Sequence, residues 1–548
     1  MRHWWEDAVF YQIYPRSFAD SNGDGIGDLA GIAGKLGYLA GLGVDALWIS
    51  PFFKSPMKDF GYDVADYRAV DPMFGSMDDF KRLLAAAKAR GVKIVLDLVA
   101  NHSSDEHPWF VEARSSKEAP EHGWYLWVPD TGRPPNNWKA VFELGTAWHP
   151  NPATRERYLG TFTRHQPEFD WRNPGLREAI YDVMRFWYEL GVDGFRLDVA
   201  TAYIKDAELR SNPFRLKANP DLFQWHVYDR NRPEVHEVFK EMRAVADAAG
   251  VASGGERVLI GETHGQDPAL AASCHGLSGD ELNMAFNFEF LYRPWGARAF
   301  RESAERWYAL LPEGAWPNFT LSNHDQPRHA WRYRGRGSRA AAVTEGRARV
   351  AAAMLLTLRG TPFLYYGEEI GMSCEALPRA ALRDPLGIST WPLSFLGRDP
   401  ERTPMQWSAE AEAGFSSGSN ANEGACAPWL PVNSDYVSRN VASQETDPSS
   451  LLSWYKALIA LRRSRRELRE GGIVFLDLSP DLLSYERTGR AGDGALVLLN
   501  FASRPRRFEL AGKRRVLLGS ARKAGEELGG GEVELGPCEV VIAESSKD

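Results

Sequence analysis

The chain has 548 residues, 44% of them hydrophobic and 25% charged, which is globular composition in a chain too long for one ordinary domain. A net charge of −8 gives no basic footprint for nucleic acid or anionic lipid. No stretch approaches the ~20 apolar residues of a membrane span, residues 1–18 lack the apolar core of a signal peptide, and Cys274, Cys374, Cys426 and Cys538 show no metal or redox spacing; the expectation is a cytoplasmic protein.

In chain order, Ala8 to Tyr14 reads as a strand. The segment 20–28 follows it, with Asp20, Asn22, Asp24 and Asp28 setting oxygens at alternate positions around turn-forming glycines. Hard cations such as Ca²⁺ favour such oxygen sets. Leu29, Ile32, Leu36 and Leu39 recur at helical spacing. Asp45 to Ser50 is a second strand. Phe80, Leu83, Leu84 and Ala87 mark a second helix stopped at Gly91. Lys93 to Val99 is a third strand, with Asp97 buried in it and Asn101-His102 just past its end.

Residues 103–170 are rich in Trp, Pro, Asn and Gly and lack helical period, as an inserted subdomain would. The spacing from Leu176 to Trp187 predicts a helix, and 192–199 a fourth strand, apolar except for Arg196 and Asp198. These two leave the same face of the strand, and burying them costs several kcal/mol unless they are paired or in use. A polar loop over 200–233 precedes a helix over 234–249. Further strands are expected at Arg257–Glu262, Met284–Phe290, Asn318–Asp325 and Thr361–Gly367. Helices are expected at 297–311, 347–358 and 451–468, with a second irregular insert over 368–448.

Eight alternating strand–helix units predict a TIM (β/α)8 barrel over 1–102 and 171–470, carrying the 103–170 insert. After Gly471 the pattern turns to short alternating strands, such as 495–501 and 532–542, and predicts a C-terminal antiparallel β-sandwich over 471–548. Chemistry in such a barrel sits where the C-terminal ends of the strands meet. That face would gather His102, Arg196, Asp198, Glu262, His324 and Asp325. Several carboxylates in a chain with 19 Trp, 19 Tyr and 27 Phe suit glycoside hydrolysis, in which one carboxylate attacks and a protonated one donates.

The motifs DLVANHSS (97–104), QPEFDW (166–171), GFRLDVA (194–200), NHDQPR (323–328), GTPFLYYGEEIGM (360–372) and PERTPMQW (400–407), with YQIYPRSFADSNGDGIGDL (11–29), closely resemble the α-amylase superfamily of glycoside hydrolases, in its oligo-1,6-glucosidase and α-glucosidase branch. The resemblance implies Asp198 as nucleophile, Glu262 as general acid/base and Asp325 as the carboxylate that orients the sugar hydroxyls. It implies that Arg196 keeps Asp198 ionised, that His102, His324 and Gln166 bind the glucose, and that Tyr62, Phe142 and Phe162 wall the pocket. Asp63 and Arg402 would form the pair gripping the non-reducing end. Asp20, Asn22, Asp24, the Ile26 carbonyl and Asp28 would hold a structural Ca²⁺ or Mg²⁺, with no organic cofactor. Glu168 and Asp170 depart from the family's usual QPDLNW, and Val199 resembles members that accept α-1,6 bonds.

The implied activity is exo-acting, retaining hydrolysis of short α-glucosides by a monomer or homodimer. The nearest alternative is transfer or isomerisation on the same site, as in trehalose synthase or sucrose isomerase. A non-catalytic relative serving as a transporter ectodomain is disfavoured by the complete carboxylate set and the lack of a membrane anchor.

Overall fold

The computed structural model describes residues 2–143, 145–216, 223–263, 267–393, 397–416, 426–489 and 494–545; parts of the 200–233 loop, of the 368–448 insert and of the C-terminal stretch lie outside the described residues. Eight parallel strands form the central sheet: β1 (Phe10–Ile13), β2 (Ala46–Ile49), β3 (Lys93–Leu98), β4 (Gly194–Leu197), β5 (Val258–Gly261), β6 (Met284–Ala285), β7 (Asn318–Thr320) and β8 (Thr361–Tyr365). Their order is β6-β5-β4-β3-β2-β1-β8-β7, a barrel closed by ladders everywhere among the described residues except between β6 and β7.

The two-residue period of a strand sorts the side chains. Phe10, Ala46, Trp48, Val95, Val258, Ile260 and Phe363 pack together inside the barrel. Tyr11, Leu47, Ile94, Leu96, Phe195 and Leu259 pack outside, against the helices. Continuing the inward parity past the apolar layer reaches Gln12 on β1, Asp97 on β3, Arg196 and then Asp198 on β4, and Glu262 after β5. The polar cluster therefore sits directly above the apolar filling. Register fixes its lateral order: Arg196 pairs with Asp97 on one side and Ile260 on the other. Gly194 permits this spacing, because a Cβ there would meet the Val258 carbonyl oxygen at 2.3 Å.

The helices bury one stripe each. Met77–Lys88 opens on a capping box between Ser76 and Asp79. Pro174–Leu190 is capped by Asn173 and ends at left-handed Gly191. Several expectations change. The run Met284–Phe290 makes only two residues of strand. Asn287 then accepts the Glu289 N–H and turns the chain into a short helix, Phe288–Leu291. The first helix is two, Leu29–Gly34 and Leu36–Leu42, meeting at Lys35. The helix expected over 347–358 starts at Ala340, because its alanine-rich first turns show no amphipathic period but have high intrinsic propensity.

Between β3 and Pro174–Leu190, three short antiparallel strands (Trp127–Pro129, Glu156–Leu159, Trp148–Asn151) enclose Trp138 and Trp148. Past residue 471, six strands form one sheet, and the pair Arg506–Leu510 and Gly531–Leu535 packs against it through Phe508, Leu510, Val533 and Leu535. The expected strand over 532–542 is two, Gly531–Leu535 and Val540–Ser545, with Cys538 at φ +49° between them.

Candidate active site

Arg196 organises the centre. It is buried, and its Nη1 donates to Asp97 Oδ1 and to Asp198 Oδ1, both at 2.7 Å, while Nη2 lies 2.6 Å from Glu262 Oε2. Its guanidinium also stands 5.0 Å over the Trp48 ring. Asp97 is saturated, since its Oδ2 accepts from Trp48 Nε1 at 3.1 Å and from the Tyr62 hydroxyl at 3.2 Å. Three carboxyl groups thus face one cation. Burial pushes the Asp198 carboxyl well above the usual carboxylate range, with Arg196 opposing and the charges of Glu262 and Asp97 adding.

A second cluster stands across the barrel mouth. Tyr62 stacks on His324 with ring centres 5.3 Å apart, and its hydroxyl lies 2.7 Å from His324 Nε2. The other His324 nitrogen meets Gln12 Nε2 at 2.8 Å. Asp325 Oδ2 lies 3.1 Å from His324 Nε2, and Asp325 Oδ1 accepts from Arg402 Nη2 at 2.8 Å and from Arg398 Nη1 at 3.4 Å. Burial alone would raise the Asp325 carboxyl; His324, Arg398 and Arg402 outweigh it and hold the group well below the ordinary range. Asp325 is the most open of the site's acids, its side chain 28% exposed, and so is an ionised carboxylate facing the pocket.

His102 Nε2 lies 2.8 Å from the Tyr62 carbonyl and 3.1 Å from Gln166 Nε2; burial depresses its basicity, which keeps the ring neutral. Phe142 and Phe162 stand 5.8 Å apart and form one apolar cluster with Val199 and Ala202. The altered QPEFDW motif has a structural account. Glu168 is buried, accepts the Thr161 N–H at 3.1 Å, and pairs with buried Lys205 at 2.6 Å, tying the insert to the loop after β4.

The expected Asp63–Arg402 pair is corrected. Asp63 is fully buried and accepts from Ser55 Oγ (2.9 Å), Lys58 N (2.8 Å) and Asp59 N (3.0 Å), so it fastens its own loop. Burial lifts its carboxyl to about 6, those donors opposing. Arg402, also fully buried, lies beneath the cluster and donates to the His324 carbonyl and to Asp325. Between these same two segments the carboxylate–guanidinium contact is Asp59–Arg398, at 2.7 Å. Arg398 also meets Asp384 Oδ1 at 2.7 Å and lies 4.1 Å over the Phe142 ring, while Asp59 Oδ2 accepts from Gln166 Nε2 at 3.1 Å. Each true partner stands four residues before the one expected. Both segments are irregular, and without a period nothing in the sequence says which of two like charges turns inward. Gln12, Trp48, Asp59, Asp384 and Arg398 were missed. Strand parity with Phe10 and Ala46 could have found the first two.

In the loop 20–28, Asp20 Oδ1, Asn22 Oδ1 and Asp24 Oδ1 each accept the N–H two residues on, at 3.0, 2.9 and 2.8 Å. Asp28 caps the next helix through Gly31 N and takes the Ser21 hydroxyl. Among the described residues no group of three or more His, Cys, Asp or Glu could hold a metal ion. A cation in this loop would rely on the Asn22 amide and the Ile26 carbonyl as well.

Residues 12–471 match the family model of the α-amylase catalytic domain. The chain belongs to the α-amylase family of glycoside hydrolases. Within that family it is 42% identical to a Rhizobium meliloti protein named "Probable alpha-glucosidase", over 94% of this chain and 92% of the relative. It is 38% identical to an oligo-1,6-glucosidase of Parageobacillus thermoglucosidasius, over 93% and 92%. Among solved structures, the α-glucosyl transfer enzyme XgtA superposes with a TM-score of 0.90 at 39% identity over the whole of both chains. The trehalulose synthase of Pseudomonas mesoacidophila does so with 0.88 at 34%, over 99% of this chain and 100% of that one. The protein is thus an α-amylase-family glycosidase with α-glucosidase and oligo-1,6-glucosidase relatives, built on a (β/α)8 barrel. Among the described residues no helix is long and apolar enough to cross a membrane.

Proposed function

We propose that the protein is an exo-acting, retaining α-glucosidase that releases terminal glucose from short α-glucosides through a covalent glucosyl-enzyme. The observation that carries this reading is the sharing of Arg196, with Asp198 on Nη1 and Glu262 on Nη2. One guanidinium holds both carboxyl groups close together, as a double displacement needs; an inverting pair stands farther apart to admit water. Asp198 would attack the anomeric carbon, Glu262 would protonate the leaving oxygen and then activate water, and ionised Asp325 would bind sugar hydroxyls and favour the oxocarbenium-like transition state. Asp59 and Arg398 would close the pocket behind one glucose unit.

A second reading, glucosyl transfer or sucrose isomerisation, is supported by the whole-chain likeness to a glucosyl transfer enzyme and a trehalulose synthase. Product analysis on maltose, isomaltose, sucrose and trehalose separates the two: free glucose with water as acceptor supports hydrolysis, while rearranged or lengthened sugars support transfer. On a long α-glucan, glucose should be the first product. Maltose or larger fragments would mean an open cleft and end the exo reading.

The loop 20–28 is proposed to hold a divalent cation, Ca²⁺ or Mg²⁺, away from the chemistry. The support is its run of side-chain oxygens held by successive short turns. A bound ion adds stability by mass action, so EDTA should lower the melting temperature and added Ca²⁺ restore it. A melting curve unmoved by both would refute the site.

A further inference from the structure

Val199 directly follows the proposed nucleophile and has a left-handed backbone, φ +43° and ψ +39°. A β-branched residue pays for that conformation and keeps it only where its surroundings insist. Here they do. The Val199 carbonyl accepts the Ala202 N–H at 2.8 Å, and Ala200 N donates to the Glu262 carbonyl at 3.0 Å. The side chain packs among Phe142, Phe162 and Ala202. The result is that the Val199 N–H points at Glu262 Oε2, 2.9 Å away, the same oxygen that Arg196 Nη2 approaches at 2.6 Å.

We propose that Val199 is a positioning residue for the acid/base: its strained backbone N–H, with Arg196, occupies Glu262 Oε2 and leaves Oε1 as the oxygen that carries and delivers the proton. This rests on the reading of Glu262 as acid/base. An oxygen already facing two donors cannot also present an O–H in their direction, so the proton belongs on Oε1. As an Asp198 oxygen bonds to the anomeric carbon, the glycosidic C–O bond breaks, its electron pair goes to the leaving oxygen, and that oxygen takes the Oε1 proton. Glu262 becomes an anion, and the new charge is met by donors already in place, so their contribution grows along the reaction. In the second half-reaction water returns a proton to Oε1 as its oxygen replaces Asp198 on the anomeric carbon.

The test removes the donor alone, by replacing the Asp198–Val199 amide with an ester through incorporation of the α-hydroxy analogue of valine. A hydrogen bond to a charged group corresponds to about 10- to 100-fold in rate. We expect kcat/KM on 4-methoxyphenyl α-glucoside, whose leaving group needs a proton, to fall by about that factor. On α-glucosyl fluoride, which needs little acid assistance, it should fall less than about threefold. Equal losses on both substrates, or no loss on the first, would overturn the proposal. Val199→Gly and Val199→Ala give an independent test that does not depend on the ester folding. Glycine accepts positive φ and alanine does not, so the glycine variant should melt higher and act faster on 4-methoxyphenyl α-glucoside than the alanine variant; the reverse order overturns the strain argument. Glu262→Ala with added azide checks the underlying reading separately. Formation of α-glucosyl azide supports Glu262 as acid/base whatever Val199 does, and its absence removes that reading and this inference with it.

Discussion

At the scale of single residues, the site is a set of charges whose roles follow from what each one touches. Asp59 and Asp63 show this best. They are four positions apart in one loop, but Asp63 spends its oxygens on Ser55, Lys58 and Asp59, whereas Asp59 meets Arg398 and Gln166. Arg398→Ala should therefore lower kcat/KM on short α-glucosides by about 100-fold, the scale of one or two charge-assisted hydrogen bonds, and also lower the melting temperature, because buried Asp384 and Asp59 lose their partner. Asp63→Asn should lower the melting temperature while sparing KM. Steady-state kinetics beside thermal melting of the two variants decide it. A kinetic loss confined to Asp63→Asn would restore the pairing first read from the sequence. That misreading had a definite cause: the motif announces a carboxylate and an arginine, but only packing chooses which of two candidates turns inward.

At the scale of elements, the short helix Pro108–Ala113 begins the insert on His107, whose Nδ1 accepts the Trp109 N–H. Burial lowers this imidazole to about 3 and that of His275 to about 4. Both are neutral in the fold and bind protons on unfolding once the pH drops below about 6.5. Their stabilisation is therefore complete above that value and is lost progressively as the pH falls. At pH 5 each group costs about 2 kcal/mol relative to pH 7. His107→Asn keeps a capping side chain and removes the titration, so its melting temperature should drop about 2 °C less than wild type between pH 7 and pH 5. An identical drop would mean that His107 is already charged in the folded protein. Legibility also varied by element. β3 to β5 read well because charged residues interrupt otherwise apolar runs at a fixed parity. β6 did not: Met284–Phe290 keeps apolar residues at every second position as a strand would, and a cap at Asn287 ends the strand early.

At the scale of the whole molecule, the barrel and the C-terminal sheet are joined by a buried cation that donates to backbone carbonyls. Arg487, on a C-terminal strand, donates to the carbonyls of Thr357, Leu468, Gly471 and Gly472, and Arg462 shares the Leu468 carbonyl. Nothing in the local sequence marks that junction, because its acceptors are backbone atoms distant in the chain. The catalytic architecture was far more legible. Alternation of strand and helix gives the barrel, and polar strand ends give the face, so residues as distant as His102 and Asp325 could be assigned to one pocket from the sequence. Three-dimensional structure added the sharing of Arg196 by three acids, which supports the central proposal, already implied by the sequence resemblance, that Asp198 attacks while Glu262 assists. The direct measurement is trapping with 5-fluoro-α-glucosyl fluoride, followed by proteolysis and mass spectrometry. The account predicts a burst of fluoride and a fluoroglucosyl adduct on Asp198. An adduct on another carboxylate, or no adduct together with β-glucose as the first-formed anomer from an ordinary substrate, would contradict it.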